Sequence, residues 1–153
     1  MKVAFTGTRK GMTTAQWSRV ASILTTQFAN GSRHEWHNGD AIGADAQSHA
    51  SVLGLKKMGR LIETHGHPCN KEDQREYMDF DVMHEVAPPL SRNRDMVRAS
   101  GLLVAAPFEY EDIPRGSGTW ATIRFAARTE TSHIVVWPDG SDTTFDYGTH
   151  ALY

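Results

Sequence analysis

One cysteine, Cys69, in 153 residues leaves no partner for an intrachain disulfide and no thiol set for a zinc ribbon. Such usage fits a reducing compartment, and a cytoplasmic address is expected. Long apolar runs are missing as well. No stretch approaches the roughly 20 apolar residues that span a bilayer. Met1-Lys2-Val3-Ala4-Phe5-Thr6-Gly7 also breaks too early for a secretory signal, so a soluble chain without membrane contact is expected. Charge of one sign is equally scarce: 16 Lys and Arg against 18 Asp and Glu give a net charge of -2, which argues against a generic nucleic-acid coat and sets nucleic acid aside as a partner. With 39% hydrophobic residues and no repeat, low-complexity tract or block of like charge, the chain reads as one folded domain of ordinary size.

What is present alternates. The apolar run Val3 to Phe5 stops at Thr6-Gly7-Thr8-Arg9, and Trp17, Val20, Leu24 and Phe28 then recur at helical spacing up to Asn30-Gly31. A second strand around Glu35 to His37 runs into Asn38-Gly39-Asp40-Ala41-Ile42-Gly43-Ala44-Asp45, with Ala46, Ala50 and Leu53 predicting a helix that ends at Gly54. Arg60 to Thr64 is a third strand, closed by Gly66-His67-Pro68. Residues 66–89 read as a lid or insertion, partly helical, because Tyr77, Phe80, Met83 and Val86 stand at near-helical spacing before Pro88-Pro89. Ser91 is placed to cap a helix through Met96 and Val97 to Ala99, and Leu102 to Ala106 is a continuous apolar run ended by Pro107. Arg115-Gly116-Ser117-Gly118-Thr119 then leads into a helix with Ile123, Ala126 and Ala127 inward, and His133 to Trp137 is a fifth strand.

Five strands alternating with helices predict a Rossmann-like, doubly wound parallel five-stranded sheet with helices on both faces, over 1–140, followed by a polar tail at 141–153. Ligands of such sheets sit beyond the carboxyl ends of the strands. Three of the five strand ends carry glycine and run into a helix, the arrangement that brings backbone N–H groups to a phosphate.

In this order, Thr6-Gly7-Thr8-Arg9, the Gly39 to Asp45 loop, His67-Pro68, Leu90-Ser91-Arg92-Asn93-Arg94-Asp95-Met96-Val97 and Gly116-Ser117-Gly118-Thr119-Trp120-Ala121-Thr122-Ile123-Arg124 resemble the SLOG superfamily, in particular its YpsA-related branch, over about residues 3 to 140. The resemblance implies a Rossmannoid domain for nucleotides or nucleotide-derived molecules. Its relatives include cytokinin-activating phosphoribohydrolases, a DNA-processing protein that loads single strands, and sensors of ADP-ribose-type signals in antiviral defence. The hydrolytic relatives look like Pro-Gly-Gly-x-Gly-Thr-x-x-Glu at the fourth helix, where this chain has Thr122 in the place of the acid. A threonine cannot stabilise an oxocarbenium ion as a carboxylate does.

The expected binding residues are Thr6, Gly7, Thr8, Arg9, Gly39, Asp40, Gly43, Asp45, His67, Arg92, Asn93, Arg94, Pro107, Gly116, Ser117, Gly118, Thr119 and Trp120. Arg9 would fork onto a phosphate. Of Asp40 and Asp45, one would accept a ribose hydroxyl and the other cap a helix. Trp120 either stacks on a base or packs beneath the lid, and His67 either bonds a phosphate or sugar or orders its turn. No metal and no other cofactor is expected: His34 and His37 stand three apart on a strand and face opposite sides, and neither an HExxH pattern nor a cysteine partner accompanies them. These residues describe a stand-alone sensor or sequestering sponge for an ADP-ribose-like or cyclic nucleotide signal, with homodimerisation through lid residues such as Tyr77 and Phe80. The competing reading is a nucleoside-monophosphate phosphoribohydrolase that draws its acid from Glu109, Glu111 or Asp112.

Overall fold

A computed structural model describes residues 1–148. Five strands are parallel: β1 (Lys2–Gly7), β2 (Arg33–Asn38), β3 (Leu61–Gly66), β5 (Leu102–Ala106) and β6 (His133–Val136). A short β4 (Val82–Met83) joins them in the same direction, and β7 (Asp142–Phe145) closes the far edge antiparallel to β6. The strand order is β4-β3-β2-β1-β5-β6-β7. Chain order therefore runs outward in both directions from β1 and β5, and the topological switch lies between those two strands.

Alternation along each strand divides the core. Val3, Phe5, Trp36, Ile62 and Val104 pack against α1 (Thr14–Gln27) and α2 (Ala44–Lys57) through Val20, Ile23, Leu24, Val52 and Leu55. On the other face Ala4 and Leu103 meet Met96 and Val97 of α3 (Pro89–Arg98) and Phe125 and Ala126 of α4 (Gly118–Arg128). β5 is buried at every position, as a central strand covered on both faces requires. Gln16 crosses between the layers: its buried amide donates to the carbonyls of Pro107 at 2.8 Å and Val136 at 2.9 Å, tying α1 to the ends of β5 and β6. No helix among the described residues is long and apolar enough to cross a membrane.

The sheet has seven strands where five were expected. β4 is two residues long and β7 is an exposed edge of sequence Asp-Thr-Thr-Phe, so neither carries the apolar run by which strands are recognised. β7 also places residues 142–145 of the expected tail within the sheet, whereas 149–153 lie outside the described residues. Segment 66–89 holds only a single 3-10 turn (Glu72–Gln74) and β4 before α3 begins, not the helix suggested by its spacing. Tyr77 sits at φ 60, and Asp81 is pinned by the Thr64 backbone N–H at 2.9 Å and by Lys56 at 2.7 Å, which holds the chain extended along β3.

Helix faces and starts differ in detail. α2 buries Ser48, Val52 and Leu55 and exposes Leu53, because the buried Ser48 and His49 find backbone partners in Asp45 and Asp79 and can turn inward. α3 begins at Pro89, whose missing N–H costs nothing in a first turn, so Ser91 lies inside the helix and does not cap it. Trp17 is half-exposed and Ala127 exposed, each one position beside the buried stripe.

Candidate functional site

At the switch point a cleft of about 760 Å³ opens at the carboxyl edge of the sheet. Thr6 and Gly7 at the end of β1 line it with Thr8, Arg9 and Lys10 just beyond, and Phe108 and Glu109 follow β5. Arg92, Asn93 and Met96 come from α3, and Arg115, Gly116, Ser117, Gly118 and Thr119 lead into α4. Ala41 and Asp45 close one end, with Lys71 and Gln74 of the 66–89 segment on the rim.

The two later glycine loops are built for different purposes. In the Gly39 to Asp45 loop the N–H groups are already used: the Asp45 carboxylate accepts from Gly39 at 3.0 Å and Ala41 at 3.2 Å. A side-chain carbon on Gly39 would lie 2.5 Å from Arg92 Nη1, and one on Gly43, at φ +85, would run into the Arg9 carbonyl. Glycine there lets loops pack on each other. The 115–119 loop is open. Nothing lies within 4 Å of the space above Gly116, only the Asn93 amide at 3.6 Å lies near Gly118, and Ser117 caps α4 by accepting from the Trp120 N–H at 3.2 Å. A helix start left free at a cleft wall is where a phosphate gains from backbone N–H groups.

Of the expected residues, Thr6, Gly7, Thr8, Arg9, Asp45, Arg92, Asn93, Gly116, Ser117, Gly118 and Thr119 come together in the cleft, whereas Gly39, Asp40, Gly43, His67, Arg94, Pro107 and Trp120 do not line it. Asp40, fully buried, accepts from Arg75 Nε at 3.0 Å and the Met78 N–H at 2.8 Å, and so anchors the 66–89 segment. Arg94 lies over the Phe125 ring at 5.6 Å, in a smaller groove between α3 and α4. Trp120 packs on Trp137 and donates from its indole N–H to Glu109 at 3.2 Å. Pro107 accepts from Gln16. His67 turns into a cluster with His37 and His84.

Arg92 has work besides any ligand. Its Nη1 donates to the carbonyls of Gly39 at 2.6 Å and His67 at 3.2 Å, strapping α3 to the ends of β2 and β3. Thr122 is buried and donates to the Gly118 carbonyl at 2.8 Å, lining the smaller groove. Of the three candidate acids only Glu109 lines the cleft; Asp112 pairs with Arg124. Lys10, Lys71, Gln74 and Arg124 are cleft residues absent from the expected set. Lys10 directly follows the first loop, Thr6 to Arg9, which is the signal that marks it, but Lys71 reaches the rim only through an irregular segment that carries no pattern.

Burial pushes the Asp45 carboxyl up to about 6, against the pull of the Arg92 guanidinium and of the two backbone N–H donors. An acid whose folded value exceeds its ordinary 3.8 contributes stability that is complete below 3.8 and lost as pH rises through about 6. Wild type should therefore lose on the order of 2–3 kcal/mol relative to Asp45→Asn between pH 4 and pH 7. Urea unfolding of both proteins across that range measures it, and parallel curves would refute it. The comparison with the variant matters because burial holds His37 down to about 4 and His67 to about 3, and histidines lowered in this way make stability rise with pH over the same window.

No protein-family model matches the chain, and no curated protein is significantly similar to it. Solved structures do match. The X-ray structure of TM1055 superimposes with a TM-score of 0.55 at 14% identity, covering 86% of this chain and 71% of that one. The molybdenum cofactor binding protein from the phototrophic bacterium Rippkaea orientalis superimposes with a TM-score of 0.60 at 16% identity, covering 89% and 76%. By architecture, then, this chain is a Rossmann-like α/β protein with a mostly parallel seven-stranded sheet and its candidate site at the β1/β5 switch.

Proposed function

We propose that the cleft binds a phosphate-bearing, nucleotide-derived ligand of the ADP-ribose or cyclic-nucleotide kind. On this reading the protein is a sensor or sequestering sponge, in antiviral defence or counter-defence. The observation that carries it is local charge. Six cationic side chains line the cleft, Arg9, Lys10, Lys71, Arg92, Arg115 and Arg124, against the two acids Asp45 and Glu109, in a chain whose net charge is -2. A concave site with an excess of one sign focuses its potential on an oppositely charged ligand. The open start of α4 supports the same reading, as does a volume within the usual range for small-molecule sites. The resemblance to SLOG domains and the cofactor-binding neighbour point to the same use of the fold.

Glu109 supports a second reading, hydrolysis of an N-glycosidic bond, since its carboxylate borders the cleft and is held by Trp120. One experiment decides between them. Native mass spectrometry of freshly purified protein reads any bound mass together with the subunit count, for which a homodimer is expected, and chromatography follows after heat release. Up to one equivalent of intact nucleotide per site is the expected result. Free base and ribose phosphate, formed in proportion to protein and abolished by Glu109→Gln, would establish the hydrolase instead.

A further inference from the structure

On the face of the sheet that carries α3 and α4, helical cover lies over β1, β5 and β6, and the neighbouring β2 and β3 present polar side chains instead. Their parallel register sets Glu35 beside Glu63 and, two residues on along the same face, His37 beside His65. Two more imidazoles arrive from just past the strand ends, His67 after β3 and His84 after β4. The four rings form a closed set. His37 stacks on His65 with centroids 4.4 Å apart, and His67 on His84 at 4.1 Å. Across the stacks, His37 Nδ1 lies 2.8 Å from His67 Nε2, and His65 Nδ1 lies 2.9 Å from His84 Nε2.

The carboxylates fix the tautomers. His37 Nε2 contacts Glu35 at 3.0 Å and His65 Nε2 contacts Glu63 at 2.7 Å. An ionised carboxylate only accepts, so each Nε2 carries the proton and each Nδ1 accepts from the facing ring, His67 Nε2 or His84 Nε2, a partner that an ion would replace as those two rings turn or change tautomer. A carboxylate behind the imidazole, with the opposite nitrogen bare, is the support that metal-ligating histidines receive. One donor atom from each of His37, His65 and His84 already lies within 4.8 Å of the others. Four-coordinate zinc, with its Zn–N bonds of about 2.0–2.1 Å, would draw them together by small ring rotations.

We propose that His37, His65 and His84, with His67 as fourth donor, form a site for a divalent transition-metal ion of the zinc class, oriented by Glu35 and Glu63. All-imidazole donation with no thiolate suits zinc, nickel or copper over magnesium or calcium. None of the four histidines lines the cleft, and the nearest link between the two is Arg92, a cleft residue that donates to the His67 carbonyl.

Untagged protein stripped with a chelator is titrated with Zn²⁺ by calorimetry and with Co²⁺ by visible spectroscopy. One equivalent of each should bind, Co²⁺ with the intense ligand-field absorption of four-coordinate geometry. His84 is exposed, so His84→Ala should fold, as circular dichroism would verify, yet lose that absorption and bind Zn²⁺ at least about 100-fold more weakly. Glu63→Gln, altering a group that contacts His65 but not the ion, should weaken binding by about 10- to 100-fold. Absence of stoichiometric uptake by wild type, a weak octahedral Co²⁺ spectrum, or undiminished uptake by His84→Ala would each overturn the site.

Discussion

Arg9→Ala and Arg115→Ala should each weaken binding of ADP-ribose by about 1.5–3 kcal/mol, roughly 10- to 150-fold, with little change in stability. Both side chains line the cleft and are exposed, and among the described residues neither is paired with a carboxylate, so each is free to meet a ligand phosphate. Arg115 stands beside the open helix start and Arg9 just beyond β1, both lining the cleft. Calorimetry at two salt concentrations checks the origin of the effect, since the loss should shrink as screening rises. Arg94→Ala is the control. Its guanidinium lies over Phe125 outside the cleft, and affinity should move by no more than about 0.5 kcal/mol. Unchanged affinity in both cleft variants, or a large loss in the control, would put the phosphate elsewhere.

Asp40→Ala should cost about 3 kcal/mol or more of folding stability, the largest effect expected of any single change near the site. Its carboxylate is fully buried and paired with Arg75 at 2.9 Å while also accepting the Met78 N–H. Removing it takes the carboxylate from a guanidinium whose side chain is only 16% exposed and the acceptor from the Met78 backbone N–H. The residue also sits at φ 54, a conformation that aspartate and asparagine tolerate better than alanine. Urea denaturation measures the loss, and limited proteolysis should find the first new cut between residues 70 and 80, the stretch that Asp40 anchors. Ribose recognition by Asp40 predicts the opposite: a stability change below about 1 kcal/mol together with a large loss of affinity.

Sequence by itself determined the layered α/β architecture, because period-2 and period-3.6 burial mark the main strands and helices, though not the 66–89 segment or the two short edge strands. Leu102 to Ala106 read as a strand covered on both faces, and the glycine-rich strand ends located the edge at which the cleft opens. Local composition also pointed to Arg9, Arg92 and Ser117 as cleft residues, since they follow or face a strand end whatever the register.

Only the tertiary structure decided what each loop does there. Asp40 and Asp45 look alike in sequence; one is buried against Arg75 and the other lines the cleft, a difference made by the segment packed over the first of them. Glycine in the Gly39 to Asp45 loop accommodates neighbouring loops, while glycine at 116 and 118 faces open space, and no propensity separates the two cases. The histidines show the same limit most sharply. Spacing along β2 set His34 and His37 on opposite faces, and indeed His34 packs on Phe28 while His37 faces the other side. Yet the ring that His37 stacks on comes from the adjacent strand, and the two that complete the cluster come from beyond two further strand ends. Strand register, which brings residues 37 and 65 side by side, is a property of hydrogen bonds between distant segments and leaves no trace in the spacing of either.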